Sequence, residues 1–266
     1  MGRGGVLVAC AVALAAASCA AAAGTADDRD RLIGWMGEVS RGGSDGGGDT
    51  AAQWIEPISW KPRAFVWHGF LSDAEVSALL RAPSQPLDAS QLVQGFEGTA
   101  VLPSASDPAV AAVERRAAEW AQIPESHGEP LRLLTYAPGQ EMPPHTDYLP
   151  EEDPTIVRVG NRVATVVLYL SDPEGGETVF GTSKAWADAE IPKREQWSSC
   201  AKSGELLAVK PRAGDALLIW NMDLLGHVDE ASQHQSCPVQ PGGADKAVAV
   251  KYYRVGEVAQ GRTRRW

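Results

Sequence analysis

A histidine and an aspartate stand two residues apart in the segment EMPPHTDYLP, which covers residues 141–150. If this segment is extended, His145 and Asp147 point to the same side of it, because side chains alternate along a strand. With a second histidine from a distant strand, the pair could occupy one face of an iron(II) octahedron and leave three positions open. Most H-x-D pairs are ordinary surface or hydrogen-bonding residues, so the metal hypothesis depends on a third ligand.

The third ligand has to come from the remaining four histidines. His68 lies early, in a strand-like segment, and His127 lies in the turn after a predicted helix. His227 and His234 both follow a predicted strand that ends at Asn221, far beyond the H-x-D pair. Either one could reach the pair from the opposite end of a barrel. Spacing alone does not choose between them.

A lysine near the end of the chain is a second candidate for chemistry. Lys251 lies in KAVAVKYYRV, a strongly apolar strand-like segment. A buried ammonium is costly unless it meets an anion, and a charge-assisted hydrogen bond could hold the far carboxylate of a cosubstrate. The alternative is a lysine whose stem packs in the core while its head reaches solvent.

Two helices and a series of strands must position these residues. Ser72 and Glu75 form a capping box that predicts a helix start, and Asp107 with Pro108 predicts the start of a second helix. The predicted strands are RAFVWHGF (63–70), LRLLTYA (131–137), RVATVVLYLS (162–171), ETVFG (177–181), ELLAVK (205–210), DALLIWN (215–221) and AVAVKYYRV (247–255). This order predicts a mainly β fold, a jelly-roll or double-stranded β-helix core buttressed by N-terminal α-helices.

The bulk composition fits a folded domain. Of the 266 residues 44% are apolar, which is enough for a substantial core. The formal charge of −10 argues against nonspecific binding to nucleic acid or to an anionic membrane, and it permits a neutral or basic partner.

The N-terminal segment has the composition of a targeting sequence. Residues 1–23 carry one early positive charge, then an apolar run, then small residues, which predicts a secretory signal peptide cleaved near Ala23. A retained membrane anchor is the alternative. We then expect a flexible acidic and Gly-rich linker over residues 24–52, one folded domain over 53–258, and a basic tail over 259–266.

Cleavage would leave two of the four cysteines, Cys200 and Cys237, in the mature chain. An even pair in an exported protein predicts one disulfide, with two free buried thiols as the alternative.

Four long motifs, in order, carry a family resemblance. They are LTYAPGQEMPPHTDY, NRVATVVLYLSDPEGGETVF, CAKSGELLAVKPRAGDALLIW and SQHQSCPV. Together they resemble the catalytic region of the prolyl 4-hydroxylases, which are Fe(II)- and 2-oxoglutarate-dependent dioxygenases, and above all the short plant-type enzymes of the secretory pathway. In that family the distal iron ligand stands two residues before the Ser/Gly-Cys-Pro-Val segment. The resemblance therefore implies that His145, Asp147 and His234 bind iron and that His227 is a loop residue.

The resemblance also implies roles for residues around the iron. It assigns Lys251, together with Tyr136 of the YxxGQ pattern, to the C5 carboxylate of 2-oxoglutarate. It suggests Tyr148 and Arg162 as contacts to the substrate peptide. For these two, a tyrosine at the rim of the core and a surface arginine are the alternatives. The positions of Cys200 and Cys237 match paired cysteines of plant-type members.

The implied activity is the hydroxylation of peptidyl proline by O2 and 2-oxoglutarate, with release of succinate and CO2. L-Ascorbate would restore iron oxidised in uncoupled turnovers. The implied substrate is a proline-rich polypeptide, a hydroxyproline-rich glycoprotein or a collagen-like chain, modified in the endoplasmic reticulum or the Golgi. A membrane would be involved only if the N-terminal segment is retained. The oligomeric state stays open.

Departures from the family pattern keep alternatives open. Residues 92–103, LVQGFEGTAVLP, lack the family's substrate-loop arginine. Tyr252 follows Lys251 where the family has tryptophan, and Ala247 takes the place of another tryptophan. The alternatives are a 2-oxoglutarate oxygenase acting on another side chain or a small molecule, and a non-catalytic module that binds proline-rich chains. A zinc hydrolase could use the same ligands, although the lysine argues against it.

Overall fold

The computed structural model describes residues 53–86, 99–104, 107–184, 197–202 and 206–258. The predicted signal peptide, the linker up to residue 52 and the tail at 259–266 lie outside the described residues. Among the residues that are described, no helix is long and apolar enough to cross a membrane.

Twelve strands and three α-helices make up the described part of the chain. The strands are β1 (Trp54–Trp60), β2 (Arg63–His68), β3 (Gln85–Pro86), β4 (Thr99–Leu102), β5 (Leu131–Tyr136), β6 (Met142–His145), β7 (Arg162–Tyr169), β8 (Thr178–Lys184), β9 (Leu206–Val209), β10 (Ala216–Trp220), β11 (His234–Ser236) and β12 (Lys246–Arg254). The helices are α1 (Asp73–Arg81), α2 (Pro108–Ala121) and α3 (Ile156–Val159).

The strands form two antiparallel sheets that pack face to face. The larger has the order β1-β2-β10-β7-β12-β5-β4-β3, and the smaller has the order β6-β11-β8-β9. One apolar cluster lies between them, with Tyr169, Leu217 and Val248 from the larger sheet and Phe180 and Leu207 from the smaller. The predicted jelly-roll architecture is confirmed.

The two longer helices cover the other face of the larger sheet. A second cluster joins Leu79 of α1 and Val113 of α2 to Leu218, Ala249 and Tyr253 of the sheet. Both predicted helix starts are confirmed. Ser72 and Glu75 cap each other's backbone at α1, and Asp107 accepts a hydrogen bond from the Ala109 amide at α2. The interior strands of the larger sheet, β10, β7 and β12, are therefore buried on both faces.

Candidate active site

Three side chains predicted as metal ligands come together between the sheets. One potential ligand atom from each of His145, Asp147 and His234 lies within 4.8 Å of the others. His145 Nε2 is 3.6 Å from Asp147 Oδ1, and His234 Nε2 is 3.8 Å from Asp147 Oδ2. Asp147 and His234 are buried, whereas the side chain of His145 is 35% exposed. The cluster therefore opens to solvent on the His145 side.

The pairing of β6 with β11, the two strands that carry the histidines, sets this arrangement. His234 at the start of β11 pairs directly with His145 at the end of β6, which brings their rings to a centroid distance of 4.6 Å. The next pair is Ser236 with Met142, so β6 has one extra residue and bulges at its two prolines. Proline is tolerated there because β6 is the edge strand of its sheet.

The two imidazoles are oriented in the same way. The Nδ1 atom of His145 is 2.9 Å from the carbonyl oxygen of Pro143, and that of His234 is 2.9 Å from the carbonyl oxygen of Ser232. Each Nδ1 therefore donates to a carbonyl two residues earlier. The Nε2 atoms are left as acceptors that face Asp147, which is the tautomer a metal ligand needs.

The electrostatics keep the aspartate ionised. Burial would raise the pKa of Asp147, but His234, His145 and Arg162 outweigh burial and hold that pKa below its usual range. Burial lowers the pKa of His234, which favours the neutral imidazole. Burial also acts to lower the pKa of His145, yet the hydrogen bond and charge of Asp147 raise it overall. A carboxylate beside two imidazoles, with one open side, fits a divalent transition metal.

The structure resolves the choice that spacing left open. His227 is 73% exposed on the loop after β10, where its Nδ1 lies 3.4 Å from Asp223. In the described ranges, His145, Asp147 and His234 form the one cluster of three or more potential metal ligands. His234 is therefore the candidate third ligand.

The prediction that Lys251 holds the C5 carboxylate of 2-oxoglutarate was wrong. Its Nζ contacts Glu114 Oε1 on α2 at 2.5 Å, and both side chains are fully buried. This pair lies on the helix-covered face of β12. The lysine packs tightly there against Gly128, since a Cβ on that glycine would stand 2.3 Å from Lys251 Cε. Lys251 thus forms a structural ion pair outside the space between the sheets.

The residue that sequence reasoning missed is Lys246, at the start of the same strand. Its Nζ is fully enclosed and donates to the carbonyl oxygen of Gly176 at 2.7 Å and to Ser236 Oγ at 2.5 Å. It also lies 4.9 Å from the centre of the Tyr136 ring. Ser236 and His234 are two apart on β11 and so share a face. Lys246 therefore lies on the metal side of the sheet.

Lys246 is a cation without an adjacent counter-charge. No carboxylate of the described residues lies within ion-pair distance of its Nζ. Burial lowers the pKa of Lys246 to about 7, and the more distant Glu177 opposes that effect. Burial raises the pKa of Tyr136, so its phenol stays protonated and can donate. An ammonium on the metal side of the sheet, beside the ring of Tyr136, suits an incoming carboxylate.

The two predicted substrate residues have different surroundings. Arg162 was predicted to contact the substrate peptide, with a surface arginine as the alternative; its burial excludes the surface position, and the peptide contact stays a prediction. Arg162 is buried and makes a bidentate pair with Glu129 at 2.8 and 2.9 Å, with its guanidinium 3.7 Å from the centre of the Tyr252 ring. Arg132 and Arg254 bind the same carboxylate. Tyr148 is half-buried directly after Asp147, and its predicted role in substrate binding stays a prediction.

Cys200 and Cys237 form the predicted disulfide. Cys237 follows directly after β11, so the bridge ties the segment 197–202 to the strand of His234. Ser198 adds a second attachment, because its amide and hydroxyl donate to the buried carboxylate of Glu177 at 2.9 and 2.6 Å.

Fold and site together define an iron(II)- and 2-oxoglutarate-dependent oxygenase, and residues 131–254 match the model of the 2OG-Fe(II) oxygenase superfamily. The chain is 38% identical over 226 residues to a probable prolyl 4-hydroxylase 3 of Arabidopsis thaliana, which covers 80% of this chain and 77% of that protein. It is 37% identical over 232 residues to prolyl 4-hydroxylase 5 of the same plant, covering 83% and 77%. The chain belongs to the prolyl 4-hydroxylase family.

A solved structure agrees with the fold. A viral collagen prolyl hydroxylase from Paramecium bursaria Chlorella virus 1, in complex with 2-oxoglutarate, superposes with a TM-score of 0.51 at 22% identity. The match covers 72% of this chain and 94% of the viral one. At this identity the likeness supports the architecture alone.

Proposed function

We propose that the protein is a peptidyl-prolyl 4-hydroxylase, which converts proline residues, O2 and 2-oxoglutarate into 4-hydroxyproline, succinate and CO2. The observation that carries the proposal is that a cluster of metal ligands and a buried lysine lie on the same side of the larger sheet. His145, Asp147 and His234 offer three ligand atoms, and the buried ammonium of Lys246 lacks a carboxylate partner among the described residues. A dicarboxylate that chelates a metal at one end and needs a cation at the other fits both.

The side chains divide the work between binding and positioning. His145, Asp147 and His234 would hold iron(II), which when bound supplies the activation of oxygen and the oxidation of the cosubstrate. Lys246 and Tyr136 would hold the C5 carboxylate by hydrogen bonds from the ammonium and the phenol. The apolar cluster between the sheets, which includes Phe180, would keep water from this end of the cosubstrate.

The open side of the metal cluster is the place for the peptide. His145 is partly exposed, and Tyr148 follows Asp147 at the same edge. An aromatic ring there can pack on the flat face of a proline ring. We therefore assign Tyr148 to the substrate proline and propose a proline-rich substrate, either a hydroxyproline-rich glycoprotein or a collagen-like chain.

The proposed setting is the secretory pathway, in the endoplasmic reticulum or the Golgi. The targeting composition of residues 1–23 and the Cys200–Cys237 disulfide support an oxidising compartment. N-terminal sequencing of the mature protein tests this directly, because a start near residue 24 agrees with cleavage and an intact N-terminus contradicts it.

Peptide hydroxylation tests the proposed activity. The purified protein with Fe(II), 2-oxoglutarate and L-ascorbate would be offered a poly-proline peptide, a collagen-like peptide and matched peptides with alanine for proline. We expect proline peptides to gain the mass of oxygen while succinate is released, and omission of ascorbate to shorten the time over which turnover continues. Succinate release with modification of another residue in the alanine peptides would instead favour a different side-chain substrate.

A further inference from the structure

A buried hydroxyl touches the carboxylate of the candidate metal site. Thr165 Oγ1 is 2.7 Å from Asp147 Oδ2, and Thr165 is 1% exposed. Thr165 lies within β7, which is an interior strand of the larger sheet, flanked by β10 and β12. Asp147, in contrast, follows the end of edge strand β6. The contact therefore ties a loop carboxylate to an interior strand of the larger sheet.

A second buried group continues this contact. Asn221 Nδ2 is 3.0 Å from Thr165 Oγ1, and Asn221 is fully buried directly after β10. The charges fix the direction of both hydrogen bonds. An ionised carboxylate has no proton to give, so the hydroxyl of Thr165 must donate its one proton to Asp147. The oxygen of Thr165 then accepts, and the Asn221 amide must donate to it.

The orientation of the Asn221 side-chain amide is energetically unfavourable for its oxygen. Its Oδ1 atom is buried and has no hydrogen-bond partner among the residues that the structure describes. A buried acceptor without a partner is unfavourable, and most native proteins avoid it. The amide is held with its nitrogen toward Thr165 although this leaves its oxygen unsatisfied. The hydrogen bond to Thr165 is therefore the one side-chain contact recorded for this amide in the described part of the chain.

We propose that Thr165 and Asn221 are positioning residues that make Asp147 bind the metal through one oxygen. Because Oδ2 is held by the hydroxyl, Oδ1 is the atom left for the metal. One oxygen from Asp147 and one nitrogen from each histidine leave three positions open on an octahedral metal. A second oxygen from Asp147 would take one of the positions that 2-oxoglutarate and O2 need. The inference rests on the proposed function, since it assumes that the cluster binds iron.

The test measures metal affinity without cosubstrate or turnover. Co(II) would be titrated into metal-free wild type, Thr165→Val, Thr165→Ser and the control Thr178→Val. Thr178 is a buried threonine at the start of β8 whose hydroxyl lies 2.9 Å from that of Tyr169, and among the described residues no hydrogen bond joins its hydroxyl to the three ligands. We expect Thr165→Val to weaken Co(II) binding by about 10- to 100-fold, the usual effect of losing a group that orients a ligand. Thr165→Ser keeps the hydroxyl and should bind like wild type, as should Thr178→Val.

A double variant tests whether Asn221 acts through the hydroxyl. Asn221→Ala should weaken Co(II) binding in the wild-type background and change nothing further in the Thr165→Val background, because the route is already broken. Independent, additive effects would overturn the proposed chain. Thermal unfolding of each metal-free variant identifies any variant that is not folded. If a double variant is not folded, the comparison of Co(II) binding between Thr165→Val and Thr165→Ser decides the test.

The outcomes separate this inference from the proposed function. If wild type fails to bind Co(II), the metal site and the proposed function both fail. If wild type binds and folded Thr165→Val binds equally well, the positioning role is overturned while the metal site stands. Weak binding by Thr165→Val with recovery in Thr165→Ser supports the role, since a packing defect would be worse in the smaller serine.

Discussion

Replacement of Lys246 by methionine should remove the anchor for 2-oxoglutarate. Two of the three N–H donors of Lys246 bind the Gly176 carbonyl and Ser236, which leaves one for an incoming carboxylate. A hydrogen bond to a charged group contributes about 1.5–3 kcal/mol. At about 1.4 kcal/mol per tenfold, Lys246→Met should weaken 2-oxoglutarate binding by about 10- to 150-fold.

Lys251→Met is the matched control, because the same change is made on the opposite face of the same strand. It would leave the carboxylate of Glu114 buried without its cation, and loss of one partner of a buried ion pair costs about 3–5 kcal/mol of folding stability. Its effect should therefore appear in urea unfolding, while the folded fraction binds 2-oxoglutarate like wild type. Lys246→Met should show the reverse pattern.

The assay is calorimetric titration of 2-oxoglutarate into the Mn(II)-loaded variants, with urea unfolding of each. The affinity should also depend on pH. Burial lowers the pKa of Lys246 to about 7 in the absence of ligand, so above that pH the lysine must gain a proton to meet the carboxylate. Affinity should then fall by up to about tenfold per pH unit above about 7. Loss of binding in Lys251→Met with full binding in Lys246→Met would refute the reasoning.

Three further predictions concern the metal and the folding free energy. His234→Ala should abolish Co(II) binding while His227→Ala leaves it unchanged, and a spectroscopic titration that gave the opposite order would overturn the ligand choice. Burial acts to raise the pKa of Glu129, but its arginine partners lower it overall to about 2. The ionised carboxylate therefore stabilises the fold by about 3 kcal/mol above about pH 4.5, and this contribution is lost as the pH falls toward 2. In urea unfolding, Glu129→Gln should be destabilised at neutral pH and should lose less further stability on acidification than wild type; equal acid sensitivity would contradict this. Cys237→Ser should lower the unfolding free energy by about 4 kcal/mol, because the bridge spans 37 residues, and unchanged urea unfolding would contradict that contribution.

Sequence reasoning located most elements because their signals are local. The capping box at Ser72 and the Asp107–Pro108 start depend on neighbouring residues only, and both helices begin where predicted. The strands that carry the histidine ligands were missed. β6 contains two prolines and β11 has three residues, so neither has a strand-like pattern. Their existence depends on pairing with each other across the chain.

The error over the lysine has a similar cause. Val248 and Val250 of β12 face the space between the sheets, while Ala247 and Ala249 face the helices. Because both faces are apolar, no alternation distinguishes them, and the sequence does not say which side a lysine enters. Lys246 and Lys251 are five positions apart on the strand, an odd offset, so they must lie on opposite faces. That spacing shows that only one of the two lysines can face the metal site. The contact of Lys251 with Glu114 on α2 places Lys251 on the helix side.

The partners of Arg162 were beyond the reach of sequence reasoning. Glu129 is far from Arg162 in the chain, and the two meet only because β5 and β7 flank the same strand, β12. The same holds for Thr165 and Asn221, whose contact with each other requires the register of β7 with β10. Ligand types are readable from a motif, but the groups that orient them depend on tertiary pairing.

The most direct test of the central claim is identification of the product at the proline itself. A proline-rich peptide would be incubated with the protein, Fe(II) and 2-oxoglutarate, and the modified residue would be located by tandem mass spectrometry and its stereochemistry by amino-acid analysis. We predict 4-hydroxyproline in a one-to-one ratio with succinate, absent with the Asp147→Ala variant. Proline left unchanged while wild type consumes 2-oxoglutarate, across poly-proline and collagen-like peptides, would contradict the account.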